Sequence, residues 1–324
     1  MASQAILKRN LAFYNKLCLI REAEKAIIRH YGENEMKTPM HMSLGAEAIA
    51  VGVCEALNKK GQILCSYRSH AVYLANTNET NIFFGELYGK STGMAKGRAG
   101  SMHLSSPETN FLGSSAIVAS TLPVAIGAAY ANKIRSTGKI VCVFFGDGAV
   151  DEGAFWESLN MACLMKLPVL FVCEDNGYAV HNPATERHGY DSITKIVQKF
   201  KCNVFESSST DVQQIYTLTR QALSTMRRTH QPSFLHLKYY RYLQHVGINE
   251  DFSSGYRSRD EFEVWLKSDP IEIQRKKLKK IGVTEKQLRS LENRIKDRIE
   301  KSIQLAKSAP FPSQEDLYER RPGT

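Results

Sequence analysis

Paired cysteines are missing from this sequence of 324 residues. Its seven cysteines form no CxxC pair, and most of them lie inside apolar runs: Cys18, Cys54, Cys65, Cys142, Cys163, Cys173 and Cys202. A disulfide framework or a structural zinc site needs cysteines in pairs at short spacings. We therefore expect reduced thiols, most of them buried in the core.

Long apolar runs and targeting signals are also missing. No apolar stretch approaches the roughly 18 residues that a membrane span requires. The N-terminal residues, MASQAILKRN, contain neither the apolar core of a secretory signal nor an extended amphipathic presequence rich in arginine and serine. These absences predict a cytoplasmic chain that does not act at a membrane.

Acidic residues are too few to balance the basic ones, and the formal net charge is +10. The densest basic cluster, RKKLKK from Arg275 to Lys280, has no interleaved aromatic residues and matches no nucleic-acid motif. A solvated helix face explains this cluster best, an acidic protein partner is a weaker alternative, and nucleic acid is the weakest. We expect no nucleic-acid partner.

Short apolar segments alternate with helical patterns, which predicts an α/β protein. Four segments have the composition of buried strands: Gln62–Ser66, Ile140–Phe145, Val169–Cys173 and Ser233–Leu237. A helix from Glu152 to Met165 separates the second and third segments, so together they predict a βαβ unit with parallel strands. We predict a doubly wound, mostly parallel sheet in one domain of residues 1–324. Its N-terminal helical segment covers about 1–60, and a helical C-terminal extension covers about 258–324.

Other local patterns predict individual elements. Apolar residues at helical spacing predict a helix from Leu11 to Tyr31, ended by Gly32. Five glycines between Asn81 and Ser101 predict a loop that passes near a ligand or another chain. The many small residues from Ser114 to Lys133 predict a deeply buried helix, because small side chains let another backbone approach closely.

Two later helices have capping signals at their starts. Asp211 followed by Gln214, and Thr284 followed by Gln287, each predict a capping box. The second helix continues with an apolar stripe at Leu288, Leu291, Ile295, Ile299 and Ile303, and we expect it to be the last helix of the chain.

The stretch GDGAVDEG places Asp147 between two glycines, directly after a predicted strand. Asn176 follows the next predicted strand. Since ligands of such sheets bind beyond the carboxyl ends of the strands, both side chains are expected to reach one point. A carboxylate, an amide oxygen and a backbone carbonyl suit Mg²⁺, which completes its shell with water and phosphate oxygens. Gly146 and Gly148 leave room for a phosphate, so we predict that Asp147 holds a cation that holds a diphosphate.

This turn has two other interpretations. A glycine–aspartate turn that simply ends a strand is common and explains the stretch if it is taken alone. A dinucleotide site is less compatible, because Asp151 stands where GxGxxG needs its third glycine. The nucleotide P-loop pattern GxxxxGK[ST] is absent.

The stretch GDGAVDEGAFWESLNMACLMKLPVLFVCEDNGYAV resembles the thiamine-diphosphate motif, which begins with GDG and ends in Asn-Asn. More narrowly, the chain resembles the alpha subunit of two-subunit 2-oxo acid dehydrogenases of the pyruvate or acetoin dehydrogenase type. The segments that carry this resemblance follow the family's order along nearly the whole chain: SYRSH, GMAKGRAGSMHL, the GDG region, YYRY and GYRSRDEFEVWLKSDPI. The resemblance implies a thiamine-diphosphate-binding fold, with thiamine diphosphate and Mg²⁺ as cofactors.

The resemblance implies site residues position by position. The metal would be bound by the side chains of Asp147 and Asn176 and by the main-chain carbonyl of Tyr178. The remaining cofactor contacts would come from Tyr67 and Arg68 at the diphosphate, backbone atoms of Gly146, Gly148 and Ala149, and main-chain atoms of Ala116 and Val118 at the aminopyrimidine ring. His70 and His245 match the two active-site histidines, which stabilise charge on the substrate or transfer protons, and His245 also contacts the cofactor.

The chain departs from the family pattern in two places. The usual Asn-Asn is Asp175-Asn176 here, which keeps the ligand at the second position. Where family members often carry His-Gly-His-Ser, this chain has Leu243-Gln244-His245-Val246, with two extra residues before Tyr256. In mitochondrial relatives that serine is a kinase target, so phosphorylation at Val246 is excluded. The altered loop leaves the substrate pocket and the acyl acceptor open.

Formation of the reactive ylide needs a carboxylate beside the aminopyrimidine ring, and no motif places a glutamate of this chain there. The resemblance implies that a beta subunit supplies it, so we expect a chain that is inactive alone and assembles as two alpha and two beta subunits.

The main hypothesis is the alpha subunit of a 2-oxo acid or acetoin dehydrogenase that cleaves the bond next to a carbonyl. It would pass the acyl group of a small 2-oxo acid or acyloin substrate to a lipoyl-bearing acyltransferase. An acyloin-forming enzyme with a non-lipoyl acceptor, motivated by the changed loop at 243–246, stays open. A non-catalytic scaffold is a third possibility, against which the intact Asp147, Asn176, Arg68 and His70 argue.

Overall fold

The computed structural model describes residues 2–318 of the chain. Its helices are α1 (Ala2–Tyr31), α2 (Glu47–Leu57), α3 (His70–Thr77), α4 (Thr80–Leu87), α5 (Thr121–Ile134), α6 (Gly153–Leu164), α7 (Ala184–Arg187), α8 (Ile193–Val197), α9 (Val212–Thr229), α10 (Arg259–Leu266), α11 (Pro270–Lys280) and α12 (Glu285–Ser308). Its strands are β1 (Gln62–Ser66), β2 (Phe111–Ser115), β3 (Val141–Gly146), β4 (Val169–Asp175), β5 (Tyr178–Ala179), β6 (Asn182–Pro183), β7 (Asn203–Ser207) and β8 (Ser233–Lys238).

Six of the strands form one parallel sheet in the order β2-β1-β3-β4-β8-β7. Strands β3 and β4 are neighbours, with Val143 opposite Phe171, and α6 connects them. The predicted βαβ unit is therefore confirmed. The predicted fold class, an α/β protein with a parallel sheet and C-terminal helices, is also confirmed. A two-stranded antiparallel ribbon of β5 and β6 lies beyond the end of β4.

Helices cover both faces of the sheet, and β3 shows why its sequence is apolar throughout. Cys142 and Phe144 belong to the core on one face, whereas Val141, Val143 and Phe145 belong to the core on the other. Successive side chains of a strand point to opposite faces, so a strand that is covered on both sides has no position for a polar residue. The first core is closed by α1, α2, α9 and α12, and the second by α5 and α6.

The N-terminal helix is longer than the apolar spacing predicted, since α1 begins at Ala2 rather than near Leu11. Its end at Tyr31 agrees with the prediction. Phe13, Tyr14 and Leu17 are fully buried, and the helix packs against α11 and α12. The residues before Leu11 carry no strong apolar stripe, and residues 4–9 are exposed or half-buried.

The predicted loop between Asn81 and Ser101 is wrong in its first part, where α4 is helical to Leu87. Packing against α12 explains the helix, because Phe83 and Phe84 are fully buried there. The loop that follows is organised by the buried carboxylate of Glu86. This carboxylate accepts hydrogen bonds from the backbone N–H groups of Ala95, Gly97, Ala99 and Gly100.

The predicted helix from Ser114 to Lys133 is wrong at its start and in its burial. Residues 111–115 form the edge strand β2, and α5 begins only at Thr121. One face of α5 packs on the sheet through Leu122, Ala125 and Ala129. The opposite face carries large apolar side chains that are exposed in this chain, so a helix rich in small residues is only half covered by its own chain.

One of the two predicted capping boxes is confirmed. Thr284 accepts a hydrogen bond from the N–H of Gln287, and the Gln287 side chain accepts one from the N–H of Thr284. Asp211 does begin α9, but its carboxylate accepts from the N–H of Gln213, and the Gln214 side chain contacts that carboxylate rather than the backbone. The shorter reach of aspartate favours the earlier N–H, so the second box is wrong.

The basic cluster lies on α11, where Lys276, Lys279 and Lys280 are exposed and Leu278 is buried. Arg275 forms ion pairs with Glu285 and Glu292, which supports a solvated helix face. All seven cysteines are free, and Cys202 alone among them is not fully buried. Within residues 2–318, no helix is both long enough and apolar enough to cross a bilayer.

Candidate active site

A cavity of about 260 Å³ opens beyond the carboxyl ends of β1, β3 and β4. Ten of the predicted site residues line this cavity: Tyr67, Arg68, Val118, Gly146, Asp147, Gly148, Ala149, Asn176, Tyr178 and His245. These residues come from five separate segments of the chain, and the parallel sheet brings them to one edge. Ala116 lies in the turn before α5, two residues from the lining residue Val118.

The two predicted metal ligands meet at this edge. Asp147 begins a short 3-10 turn after β3, and its Oδ1 lies 3.4 Å from the backbone nitrogen of Asn176. The Oδ1 of Asn176 accepts a hydrogen bond from the N–H of Tyr178 at 3.3 Å. A carboxylate, an amide oxygen and a backbone carbonyl form a set of hard oxygen donors, so the residues present fit a magnesium ion.

The glycines beside Asp147 have different neighbours. A Cβ atom added to Gly146 would meet no atom within 4 Å, and Gly146 lines the cavity. A Cβ atom added to Gly148 would lie 2.9 Å from the Cβ of Ala179. The prediction that glycine leaves space for a phosphate therefore fits Gly146. The small size of Gly148 is instead required by the close approach of β5.

The other carboxylate oxygen of Asp147 contacts Arg187, which the sequence analysis did not predict. The Nη2 atom of Arg187 lies 2.6 Å from Oδ2 of Asp147, and Nη1 of the same guanidinium contacts Asp151. Burial and the charge of Asp175 raise the pKa of Asp147 to about 6, against the opposing effect of Arg187. No motif marks Arg187, because it lies 40 residues further along the chain than Asp147.

Two further acidic residues at the end of β4 have distinct environments. Asp175, which replaces the first Asn of the family's pair, contacts the ring of His236 at 2.8 Å and accepts from the N–H of Gly177. These contacts lower the pKa of Asp175 despite its burial. Glu174 lines the cavity, and burial raises the pKa of its carboxyl to about 8. Sequence reasoning missed Glu174 because it lies inside an apolar strand.

Arg68 reaches the cavity from the end of β1 and is almost completely buried. It donates from Nη1 to the carbonyl of Met42 at 2.6 Å and from Nη2 to the carbonyl of His245 at 3.0 Å. These bonds to neutral carbonyls hold the guanidinium in place. Within the described part of the chain, no carboxylate is hydrogen-bonded to Arg68, so its positive charge suits an anionic ligand.

The rings of His245, Tyr67 and His41 form a cluster at this side of the cavity. The ring centroid of His41 lies 4.5 Å from that of Tyr67 and 5.2 Å from that of His245. Burial, followed by the charge of Arg68, lowers the pKa of both histidines to about 3, so both rings are neutral at pH 7. The buried Nδ1 atom of His41 has no hydrogen-bond partner among the described residues. Sequence reasoning missed His41. The available signal was a single histidine in the segment that leads into α2.

His70 is placed behind the cavity rather than in its lining. Its ring is fully buried, with Nδ1 at 2.8 Å from Glu24 and Nε2 at 2.9 Å from the hydroxyl of Ser101. Both ring nitrogens are therefore occupied by protein groups. A direct catalytic role for His70 stays a prediction, and the ring that lies beside His245 is that of His41.

The altered loop after β8 is held by buried charges. Asp251 contacts Arg257, Arg241 and the hydroxyl of Tyr256. Arg241 also donates to the carbonyl of Leu243 at 2.9 Å. These contacts fix the segment that carries His245. The missing serine is replaced by Val246, whose side chain is exposed.

The described residues contain no group of three or more His, Cys, Asp or Glu side chains that could hold a metal ion. The set of one carboxylate, one amide and one carbonyl is of a different kind.

Comparisons with known proteins identify the family of this chain. Residues 15–315 match the family described as dehydrogenase E1 component, and the chain belongs to this family. Several curated relatives are named pyruvate dehydrogenase E1 component subunit alpha. The relative from Rickettsia bellii is 31% identical over 306 residues, which cover 94% of this chain and 93% of the relative. Those from Zymomonas mobilis and Porphyra purpurea are each 32% identical, over 95% of this chain and 87% and 91% of their own lengths.

The predicted class is confirmed: the chain is the alpha subunit of a thiamine-diphosphate-dependent 2-oxo acid dehydrogenase. The family implies thiamine diphosphate as the cofactor and a beta subunit as the partner.

Proposed function

We propose that this subunit acts on pyruvate or a closely similar 2-oxo acid and passes the acyl group to a lipoyl-bearing acyltransferase. The observation that carries the proposal is the cavity at the carboxyl ends of β1, β3 and β4, which combines Asp147 and Asn176 with Arg68. The names of the relatives support pyruvate as the substrate class. Seven free cysteines support a reducing compartment, and we propose the cytoplasm.

In this proposal Asp147, Asn176 and the carbonyl of Tyr178 hold Mg²⁺, and the metal holds the diphosphate of the cofactor. The hard-oxygen donor set and the open space beside Gly146 support this assignment. Arg68 and Tyr67 bind the diphosphate, with backbone contacts from Gly146, Gly148 and Ala149. Main-chain atoms of Ala116 and Val118 contact the aminopyrimidine ring from the turn before α5.

Bound thiamine diphosphate supplies a nucleophilic carbon and an electron sink for cleavage next to a carbonyl. The histidines of this chain would act on the substrate by holding or moving a proton. His245 and His41 are neutral at pH 7 and lie ring to ring, so either can donate or accept a proton. We assign His70 to positioning, because Glu24 and Ser101 occupy its two ring nitrogens.

We further propose that the exposed apolar face beside the cavity contacts the beta subunit. This face, here called the α5–α6 face, consists of Ile117, Val118, Val124, Tyr130, Ile134, Met161 and Leu164. Val118 belongs both to the face and to the cavity lining, so a partner that covers the face also closes the cavity. The beta subunit that covers this face would supply the carboxylate that the aminopyrimidine ring needs. An assembly of two alpha and two beta subunits satisfies these requirements.

The test is a reconstitution with the beta subunit, Mg²⁺ and thiamine diphosphate. We expect decarboxylation of pyruvate only when both subunits are present, and acyl transfer to an isolated lipoyl domain. Asp147→Asn should reduce this turnover at least about 100-fold and weaken metal-dependent cofactor binding. Asp191→Asn, which changes an exposed carboxylate, is the control.

Full activity of the chain alone would contradict the requirement for a beta subunit. Turnover with an aldehyde acceptor but not with the lipoyl domain would favour an acyloin-forming enzyme instead. The changed loop at Leu243–Val246 is the observation that motivates this second candidate.

A further inference from the structure

Arg187 lies on the carboxylate that the proposed metal needs. Its Nη2 atom is 2.6 Å from Oδ2 of Asp147, and the exposed fractions of the two side chains are 10% and 6%. The pair is therefore a buried ion pair rather than a surface contact. Arg187 ends the one-turn helix α7, which follows the β5–β6 ribbon, and its side chain reaches the 147–151 turn.

The guanidinium is held by more than one partner. Nη1 contacts Asp151, and Nε donates to the carbonyl of Asn182 at 3.2 Å. Asp151 is itself bonded to the ring of His188 at 2.9 Å. The arginine therefore stays anchored at the rim of the cavity even when one of its contacts is released.

Without a cation beside it, a buried carboxylate at this position would carry a large desolvation cost. Arg187 offsets part of that cost in the metal-free protein. A divalent ion on Asp147 would bring two positive charges close to the guanidinium, and at such short range the repulsion in a partly buried site is several kcal/mol. Binding of the metal therefore weakens or displaces the contact between Arg187 and Asp147.

Asp147 and Asp151 both line the cavity, so Arg187 contacts two residues of its wall. A diphosphate in this cavity is the strongest anion that a released guanidinium could meet, and arginine binds phosphate oxygens well. We propose that Arg187 is an internal counter-ion of this site: it neutralises Asp147 until a divalent cation arrives and then passes to the diphosphate. The inference rests on the function proposed above.

This exchange makes the metal and the diphosphate bind cooperatively. The metal frees the arginine, and the diphosphate captures it, so each ligand improves the binding of the other by the same factor. Part of the coupling between the two ligands would therefore pass through Arg187 rather than through direct coordination.

The experiment is a binding cycle on the assembled alpha–beta complex, with Mn²⁺ as the metal probe. Free Mn²⁺ is measured by electron paramagnetic resonance with and without saturating thiamine diphosphate, and the cofactor is titrated calorimetrically with and without saturating Mn²⁺. The complexes carry the unsubstituted chain, Arg187→Gln or Arg187→Lys. Arg220→Gln, which removes an exposed arginine of α9, is the control with the same change in net charge.

We expect Arg187→Gln to bind Mn²⁺ alone about tenfold more tightly and to bind the cofactor about tenfold more weakly at saturating Mn²⁺. Without Mn²⁺, cofactor affinity should change little, because Arg187 then stays on Asp147. The factor by which each ligand improves the other should fall about tenfold. Arg187→Lys should restore part of the coupling, since it keeps the charge.

Unchanged coupling in Arg187→Gln, or weaker binding of Mn²⁺ alone, would overturn the inference while leaving the proposed function intact. Absence of cofactor binding by the unsubstituted complex would overturn the proposed function and this inference with it. Thermal unfolding of each complex separates these outcomes from a folding defect, and partial rescue in Arg187→Lys supports the charge exchange independently.

Discussion

At the residue scale, the two glycines around Asp147 illustrate how one motif can combine different requirements. Gly146 faces open space within the cavity, whereas Gly148 is pressed against Ala179. The spacing of the GDG motif predicts a ligand site but does not distinguish these two reasons. The distinction depends on β5, which approaches the motif from a later part of the chain.

We expect a different property to change when each glycine is replaced by alanine. Gly148→Ala should lower the free energy of unfolding by about 1–3 kcal/mol, because the new methyl group collides with Ala179. Gly146→Ala should change it by less than about 0.5 kcal/mol, since the methyl group meets no atom. The same methyl group would occupy cavity space, so cofactor binding should weaken.

Urea unfolding and calorimetric titration of the cofactor measure the two effects separately. Equal losses of stability in both variants would contradict the assignment of different neighbours. Unchanged cofactor affinity in Gly146→Ala would show that the cavity beside Gly146 is not used by the cofactor.

His41 provides a second prediction at this scale, on the pH dependence of stability. Its pKa is lowered to about 3 in the folded chain, and an unfolded histidine has a pKa of about 6.5. Between these values the unfolded chain binds a proton that the folded chain does not. The contribution of neutral His41 is therefore complete above about pH 6.5 and is lost as the pH falls towards 3.

We expect His41→Asn to reduce the loss of unfolding free energy between about pH 7.5 and about pH 5 by about 2 kcal/mol. Urea unfolding at the two pH values is the measurement, and His103→Asn, which changes an exposed ring, is the control. An identical pH dependence in His41→Asn and the unsubstituted chain would mean that the ring is accessible to protons in the folded state.

At the scale of elements, the sequence predicted a helix or strand correctly where the residues that define it lie within that one element. The four predicted strands are present within a residue or two of their predicted ends, and the capping box at Thr284 is confirmed. The errors occurred where packing decided the outcome. Helix α4 forms inside a glycine-rich stretch because Phe83 and Phe84 pack against α12, and the edge strand β2 replaces the predicted start of α5.

The cap of α12 is a test at this scale. Thr284→Ala removes the hydroxyl that accepts the N–H of Gln287, and it should lower the free energy of unfolding by about 1 kcal/mol. Cofactor affinity should not change, because the cap is part of the C-terminal helices and does not line the cavity. Ser290→Ala, on the exposed side of the same helix, is the matched control. An equal loss of unfolding free energy in Ser290→Ala would show that the loss in Thr284→Ala is not caused by removal of the cap.

At the scale of the whole molecule, the most informative feature is a group of large apolar side chains that this chain leaves exposed. Val124 is 56% exposed and Ile134 65% exposed, on a helix whose other side is packed on the sheet. A group of exposed apolar side chains indicates a protein interface. The family implies a beta subunit, and the α5–α6 face is the surface that we assign to it.

We expect Val124→Asp to prevent assembly with the beta subunit without unfolding the chain, because an unpaired carboxylate would be buried in the interface. The dissociation constant should rise at least about 30-fold, as for a buried unpaired charge that costs about 2 kcal/mol or more. Analytical ultracentrifugation of the mixed subunits measures it. Val264→Asp, at a position 63% exposed on α10, is the control. Normal assembly of Val124→Asp would place the beta subunit elsewhere.

The sequence by itself determined the parallel sheet and predicted a candidate site at one edge of it. Strands that are apolar on both faces form a buried parallel sheet, and polar residues at their ends meet at one edge because neighbouring strands share a direction. This information lies within short stretches of the chain. The tertiary structure alone decided that Arg187 pairs with Asp147, that His41 rather than His70 lies beside His245, and that α5 is half exposed. These outcomes depend on which distant segments come into contact, and residue spacing within a segment carries no record of that.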